Sequence, residues 1–397
     1  SSTDIREIMS GSKVNVRGGG GFGGGGRGGG GRRGGGGGGG GGDTISLTIS
    51  GSPAELEKGF QLAYLLLTEP KIEPTAFEQF QTNGKTMLEE VTKNPMMYGG
   101  RMVNAATYPD TEPRTQPLTE EQIDHLTVDA AQAWLDKLLR ESPIEVTIVG
   151  DLPREKAMEL TAKYIGSLPT RERIAPTTFA NLRQIERPKG PRVITKSIET
   201  QTPQAFVHCG FYGTDEKNID DTRYLNMAAR VLSTRMIKEV REDAQLVYSI
   251  GASSRAGSTY PGFGMFSASA PTDPAKAPAL VEKLGSMYRE FAQNGPTDDE
   301  MTVAKKQFAN TLEEQMREPG FWSGRLSGMT FHGGCLDDIM TAPEAYQQMT
   351  KEQVRQTFAK YWSPENEVTV VVKPEEQPDA TPGAKPEAAT SPSSTAN

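Results

Sequence analysis

The sequence predicts an α+β fold of two homologous domains, each a mostly antiparallel sheet packed with helices on one face. Short apolar stretches of period two alternate with longer stretches of helical period. A Thr-capped helix leading to Ser-Pro and a Glu-Val-Thr strand occurs twice, from Leu118 to Val149 and from Met349 to Val371. Between the copies lies IAPTTFANLRQIERPKGP, Pro-rich and polar as a domain boundary should be.

In chain order, Thr3 to Met9 predicts a short helix and Lys13 to Val16 a strand. A glycine tract follows, then Thr44 to Ser50 (TISLTIS), which alternates as a strand does. The simplest reading is a hairpin interrupted by a long flexible insertion. Ser52-Pro53 caps a helix through Leu56, Phe60, Ala63 and Leu67, which Pro70 ends. A second helix opens near Pro74 and carries Phe77, Phe80, Met87 and Val91. Thr119-Glu-Glu-Gln is a capping-box start, predicting one helix past Ile123, Leu126 and Ala130 to Leu138. Ile144 to Gly150 (IEVTIVG) reads as a strand and Arg154 to Ile165 as a helix.

The second half repeats this grammar. Strands are expected at 192–196, 204–211, 249–254, 264–270 and 367–372, and helices at 221–241, 274–294, 297–317 and 350–361. The domains divide as follows: 1–16 with 43–172, an inserted loop at 17–42, a linker at 173–190, a second domain at 191–374, and a compositionally disordered tail at 375–397.

Composition narrows the function classes. The chain has 397 residues, of which 35% are apolar, and 21 of its 44 glycines lie in residues 18–42. Without that tract and the Pro/Ala/Ser/Thr tail, an ordinary globular composition remains. A net charge of −8 argues against a wholesale nucleic-acid coat. Two cysteines, Cys209 and Cys335, make no disulfide framework. No stretch reaches the ~18 apolar residues of a membrane span, and Ser1 to Arg6 lead into no apolar signal-peptide core. Each of the three histidines, His125, His208 and His332, lacks a second within five residues, so no self-contained His-based zinc motif is present.

Several stretches together carry a resemblance: Gly59–Tyr64 (GFQLAY) with Thr68–Pro70, Val149–Asp151, Tyr164–Pro169 (YIGSLP) and Arg241–Ser249 (REDAQLVYS). Their order resembles that in the pitrilysin/insulinase family of zinc metallopeptidases, over roughly residues 1–16 and 43–374. The family's paired α+β domains enclose a peptide in a chamber. The inverted zinc motif His-x-x-Glu-His is missing, and the start looks late against the family's opening strands and helix. The resemblance therefore implies the non-zinc, C-terminal-type half, with no metal held by this chain and zinc expected in a partner half. It implies a zinc-bearing homologous partner and peptide substrates, and suggests a bacterial periplasm. The alternative on the same fold is a non-proteolytic structural or assembly subunit.

The resemblance also implies that Arg241 and Tyr248 reach into the chamber, the Arg holding a substrate carbonyl and the Tyr hydroxyl steadying the oxyanion. The residue types suit the work: Arg offers a rigid fork of charged donors, and a donor aimed at developing negative charge is worth on the order of 3 kcal/mol. The plain reading is a helix-terminal Arg favoured by the dipole and a Tyr at a strand edge. Gly264, Phe266 and Ser267, after the Pro261-Gly262 break, are candidates for a strand edge to which a peptide adds; an ordinary interior strand is the alternative.

The remaining motifs read as structural. Glu89-Glu90 resembles the place of a third zinc ligand, but two Glu on a helix are a solvated face. His208 and Cys209 read as core or edge residues of a strand, and Gly333-Gly334 in FHGGC as a turn between helices. The glycine tract, with Arg17, Phe22, Arg27, Arg32 and Arg33, has the interleaving of an RGG-type RNA contact. On an acidic chain a flexible loop is the stronger reading, so no nucleic-acid partner is expected.

Overall fold

A computed structural model describes residues 5, 7, 9–20, 44–175 and 177–375. Most of the expected N-terminal helix, most of the glycine tract and nearly all of the tail lie outside the described residues. The first half opens with β1 (Val14–Gly20) and β2 (Ile45–Gly51), paired antiparallel with Val14 opposite Gly51 and Gly20 opposite Ile45. The hairpin ladder thus runs four residues further than Val16, into the start of the glycine tract. Helices α1 (Leu56–Thr68), α2 (Pro74–Thr92), α3 (Pro95–Thr107), α4 (Glu120–His125), α5 (Val128–Glu141) and α6 (Arg154–Tyr164) follow.

Two expectations for this half are corrected. The helix predicted from Thr119 to Leu138 is two helices, because Leu126 leaves helical geometry and Thr127 caps α5 afresh, accepting from Ala130 N. Ile144 to Gly150 forms no strand. Strand structure needs a hydrogen-bonded neighbour, and among the described residues none lies beside it. Ile148 packs on α1 and α6 with Phe60, Leu160 and Tyr164, whereas Ile144 and Val146 stay exposed.

The second half is built on a five-stranded sheet: β3 (Arg192–Ile198), β4 (Ala205–Tyr212), β5 (Ala252–Arg255), β6 (Met265–Thr272) and β7 (Glu367–Pro374), in the order β3-β7-β4-β6-β5. β3 runs parallel to β7 and every other pair is antiparallel. Between strands lie α7 (Ile219–Met236), α8 (Ala277–Asn294), α9 (Asp298–Met316), the short helices α10 (Pro319–Leu326), α11 (Met329–His332), α12 (Leu336–Met340) and α13 (Ala342–Gln348), and α14 (Lys351–Tyr361).

Central β4 is buried along its whole length and serves both faces. Ala205, Val207, Cys209 and Phe211 meet Leu225 and Leu232 of α7, Leu284 and Phe291 of α8 and Phe358 of α14. Phe206 and Tyr212 face the other way, with Val368, Val370 and Val372, onto a smaller core that includes Ala106 of α3.

That second face is covered by a helix of the first half. A Cβ on Gly99 would overlap the edge of the Phe206 ring, so only glycine lets α3 approach the sheet this closely. Both ends of α3 are tied to the second half: Thr200 donates to the Lys93 carbonyl and Tyr212 to the Thr107 carbonyl, each at 2.6 Å. The sequence signals α3 through Asn94-Pro95, an N-cap followed by Pro at the first helical position. The Asn94 side chain accepts from Met96 N and Met97 N.

Candidate functional site

α7 does not stop at Met236. It runs into a π-helical turn over Ile237–Asp243, where the chain gains a residue per turn and Ala244 N bonds to Glu239 O. Such turns recur at functional sites because they re-aim side chains on an otherwise rigid helix. The turn is fixed by Val240, fully buried, and by Glu239, whose carboxylate accepts from Lys283 at 2.6 Å. Arg241 lies on its exposed side.

The chain then reverses at Gln245, with φ 51°, the one non-glycine in the left-handed region among the described residues. The following segment is pinned at several points. Lys276 donates to the Gln245 carbonyl and Thr272 to the Leu246 carbonyl. Val247 forms a bridge with Thr272, and Val247 and Ile250 are both buried in the main core. Between those two anchors Tyr248 is 87% exposed.

The Arg241 guanidinium carbon lies 5.7 Å from the centroid of the Tyr248 ring, a cation–π distance. Among the described residues neither the guanidinium nor the phenol is engaged in a hydrogen bond or an ion pair. The structure thus brings the two residues together as adjacent donors directed to solvent. Chemically the pair can donate to a carbonyl oxygen or an oxyanion.

The other sequence-predicted binding residues do not form an edge. β6 is an interior strand, with β4 on one side and β5 on the other. Phe266 is fully buried, stacked on Phe211 at 5.0 Å, and opposes both Phe211 and Ser254. Ser267 lies opposite Gly210 and Ser253. A Cβ on Gly264 would strike the Thr214 carbonyl, and the Gly264 carbonyl accepts from Gly213 N at 2.7 Å. The alternation in GMFSASA reflects two packed faces, and the edge position beside Tyr248 belongs to β5.

The histidines and cysteines do not converge. His208 is buried on β4, its Nδ1 2.8 Å from Ser269 Oγ, and burial lowers its pKa to about 4. Burial pushes the Cys209 thiol up to about 12. His332 Nδ1 stands 3.2 Å from a Glu216 oxygen, and Cys335 is exposed. Glu89 and Glu90 are exposed on α2. Among the described residues no three His, Cys, Asp or Glu side chains are placed to hold a metal ion, and no helix is long and apolar enough to cross a membrane.

Residues 125–308 match the family described as the peptidase M16 inactive domain. No curated protein matches the sequence. Among solved structures, a protease from Helicobacter pylori superposes with a TM-score of 0.71 at 17% identity, covering 83% of this chain and 79% of that one. The peptidase M16 inactive domain from Pseudomonas fluorescens gives 0.70 at 19% identity, covering 84% and 79%. The periplasmic protease PqqL from Escherichia coli gives 0.70 at 20% identity; 94% of this chain is covered but only 39% of PqqL. The zinc implied by this fold family finds no fitting donor set in the described residues. Residues 125–308 thus carry a domain of the M16 peptidase family, of the inactive, C-terminal type, and the chain shares its fold with solved M16 peptidases.

Proposed function

We propose that this chain is the substrate-binding half of a zinc metalloendopeptidase that works with a zinc-bearing homologous half. Residues 1–16 with 43–172, and residues 191–374, would form its two domains and line one side of a chamber that holds an extended peptide. Zinc held by the partner half would supply an activated water and polarise the scissile carbonyl. Arg241 binds a carbonyl oxygen of the peptide, and the Tyr248 hydroxyl donates to the oxyanion as it forms. The peptide passes beside the Tyr248 loop, at the end of the sheet that β5 borders. A periplasmic location is part of this proposal, by likeness to PqqL.

The observation that carries the reading is the Tyr248 loop itself. Val247 and Ile250 are buried on either side of a tyrosine that is 87% exposed and sits against Arg241. A catalytic donor needs a fixed backbone and a free hydroxyl, because preorganised donors cost no reorganisation when charge develops. This loop has both.

The test reconstitutes the chain with its zinc-bearing half and follows cleavage of a quenched fluorescent peptide. Tyr248→Phe should lower kcat by about 10²-fold with little change in KM. Arg241→Ala should lower kcat/KM mainly through KM. Unchanged turnover in both variants, with the complex intact, would remove the pair from catalysis and leave an assembly role.

A further inference from the structure

The sheet has two edges, and they differ in what they leave open. At β5, the Ala252 N–H and carbonyl both bond to the Ser233 hydroxyl, at 2.9 and 3.1 Å, which closes part of that short edge. At the opposite end β3 is bonded on one side only. In a parallel ladder alternate residues point both backbone groups at the neighbour. Ile198 points inward, since its carbonyl accepts from Glu375 N. Arg192, Ile194 and Lys196 therefore point inward too, in register with β7. Val193, Thr195 and Ser197 direct their N–H and C=O groups outward, where no partner stands among the described residues. Val193 is also 68% exposed. A long unblocked edge is a template for an added strand.

A cavity of about 530 Å³ lies at the end of this edge where β3 begins. Its lining includes Asp110, Glu112, Glu186, Arg187 and Arg192. Glu112 is already held by Arg114 through two hydrogen bonds, and Arg187 lies over the Tyr212 ring at 5.1 Å. Arg192 is different: it lines the cavity, and among the described residues its guanidinium has no hydrogen-bond or ion-pair partner, its buried Nε included. An orphaned guanidinium N–H calls for an acceptor. The polarity of β3 says which acceptor a peptide would bring. A segment antiparallel to β3 ends where β3 starts, so its C-terminal carboxylate arrives at Arg192, whereas a parallel segment would bring an ammonium group. The exposed Asp110 and Glu186 disfavour a run of acidic residues and favour a single carboxylate on an otherwise uncharged segment.

We propose that the open edge of β3 is a second peptide-binding site, where an extended segment lies antiparallel to Val193–Ser197 and sets its C-terminal carboxylate against Arg192 in this cavity. The site is separate from the Arg241–Tyr248 pair, at the other end of the sheet, and stands whether or not that pair is catalytic.

The test uses fluorescence polarisation on the full chain. The probe is a short, N-terminally labelled peptide of alternating Thr and Val, made as the free acid and as the C-terminal amide. The free acid should bind about tenfold more tightly, as expected for a charge-assisted hydrogen bond. Arg192→Gln, with its circular dichroism retained, should erase that preference, while Tyr248→Phe should leave it unchanged. Thr195→Pro, which removes an outward N–H, should weaken both probes. Equal binding of acid and amide by the unmodified chain would overturn the proposal, as would a preference that survives Arg192→Gln. A homodimer in sedimentation that Thr195→Pro dissolves would assign the edge to a second copy instead, and equally overturn it.

Discussion

Around Thr119 and around Thr350 the chain uses nearly the same words: a Thr-capped helix start, a Ser-Pro break and a Glu-Val-Thr stretch of alternating residues. Both starts become capping boxes, with Thr119 paired to Gln122 and Thr350 to Gln353. Only the second Glu-Val-Thr stretch becomes a strand. β7 has β3 on one side and β4 on the other, and Val368, Val370 and Val372 are fully buried. Residues 144–150 have neither neighbour, and Ile144 and Val146 are 40% and 39% exposed. A helix cap is satisfied within four residues of chain, whereas a strand is satisfied by partners the local sequence does not contain.

The largest expected effect follows from where each half keeps its aromatic residues. Phe358 sits among Phe211, Phe266 and Phe291, with ring centroids 5.1, 5.2 and 4.8 Å away. Phe358→Ala leaves a cavity in that cluster and should cost about 3–5 kcal/mol. Trp134, on α5 of the first half, is 52% exposed. Trp134→Ala should cost no more than about 0.5 kcal/mol despite removing more atoms. Urea unfolding of both variants checks the contrast, and equal costs would show that the first half has a core of comparable weight.

A smaller effect belongs to the sheet and should have no counterpart in the first half. His208 on β4 opposes Ser269 and Val370, and burial holds its pKa near 4. In the unfolded chain it takes up a proton near the usual ~6.5. Between those values the unfolded state binds more protons, so stability is retained above about pH 6.5 and lost as pH falls toward 4. The wild-type chain should therefore lose on the order of 2 kcal/mol more than His208→Gln between pH 7 and pH 5. Parallel slopes in the two proteins would mean that His208 titrates alike in the folded and unfolded chain, and that burial does not shift it.

Local and non-local information explain what was legible. The four helices expected in the second half fall close to their positions because caps and apolar spacing lie within each segment, whereas the four short helices between Pro319 and Gln348 were not expected. Three features were hidden, two of them by distance in sequence. The burial of Phe266 and the interior place of β6 depend on β5, whose four residues carry little apolar patterning. The split at Leu126 was masked by an apolar spacing that continues through it, although Thr127 is itself a cap. The packing of α3 on the far sheet shows in its sequence only as a glycine, Gly99, whose reason lies at Phe206. For the site, the family resemblance pointed to Arg241 and Tyr248, which spacing alone reads as a helix-terminal Arg and a strand-edge Tyr, and nothing in the sequence showed the π-helical turn or the buried anchors that hold them side by side.

The smallest effect sharpens the opening comparison most directly. If the two halves differ only in tertiary partners, purely local interactions should be worth the same in both. Thr350 accepts from Gln353 N and Thr119 from Gln122 N, each at 3.2 Å, and in each box the Gln carbonyl oxygen accepts from the Thr backbone N–H at 2.9 Å. Thr350→Ala and Thr119→Ala should each destabilise their own helix by about 1 kcal/mol. Global unfolding reports this for Thr350, whose helix carries Phe358 into the main core. For Thr119 the proper readout is hydrogen exchange of α4 amides, because a helix with little buried surface opens locally before the molecule unfolds. Equal costs by these two measures would locate the difference between the halves wholly in strand pairing and core. A much larger cost at Thr350 would mean that the cap is strengthened by the packing of its helix, and that even this signal is not local.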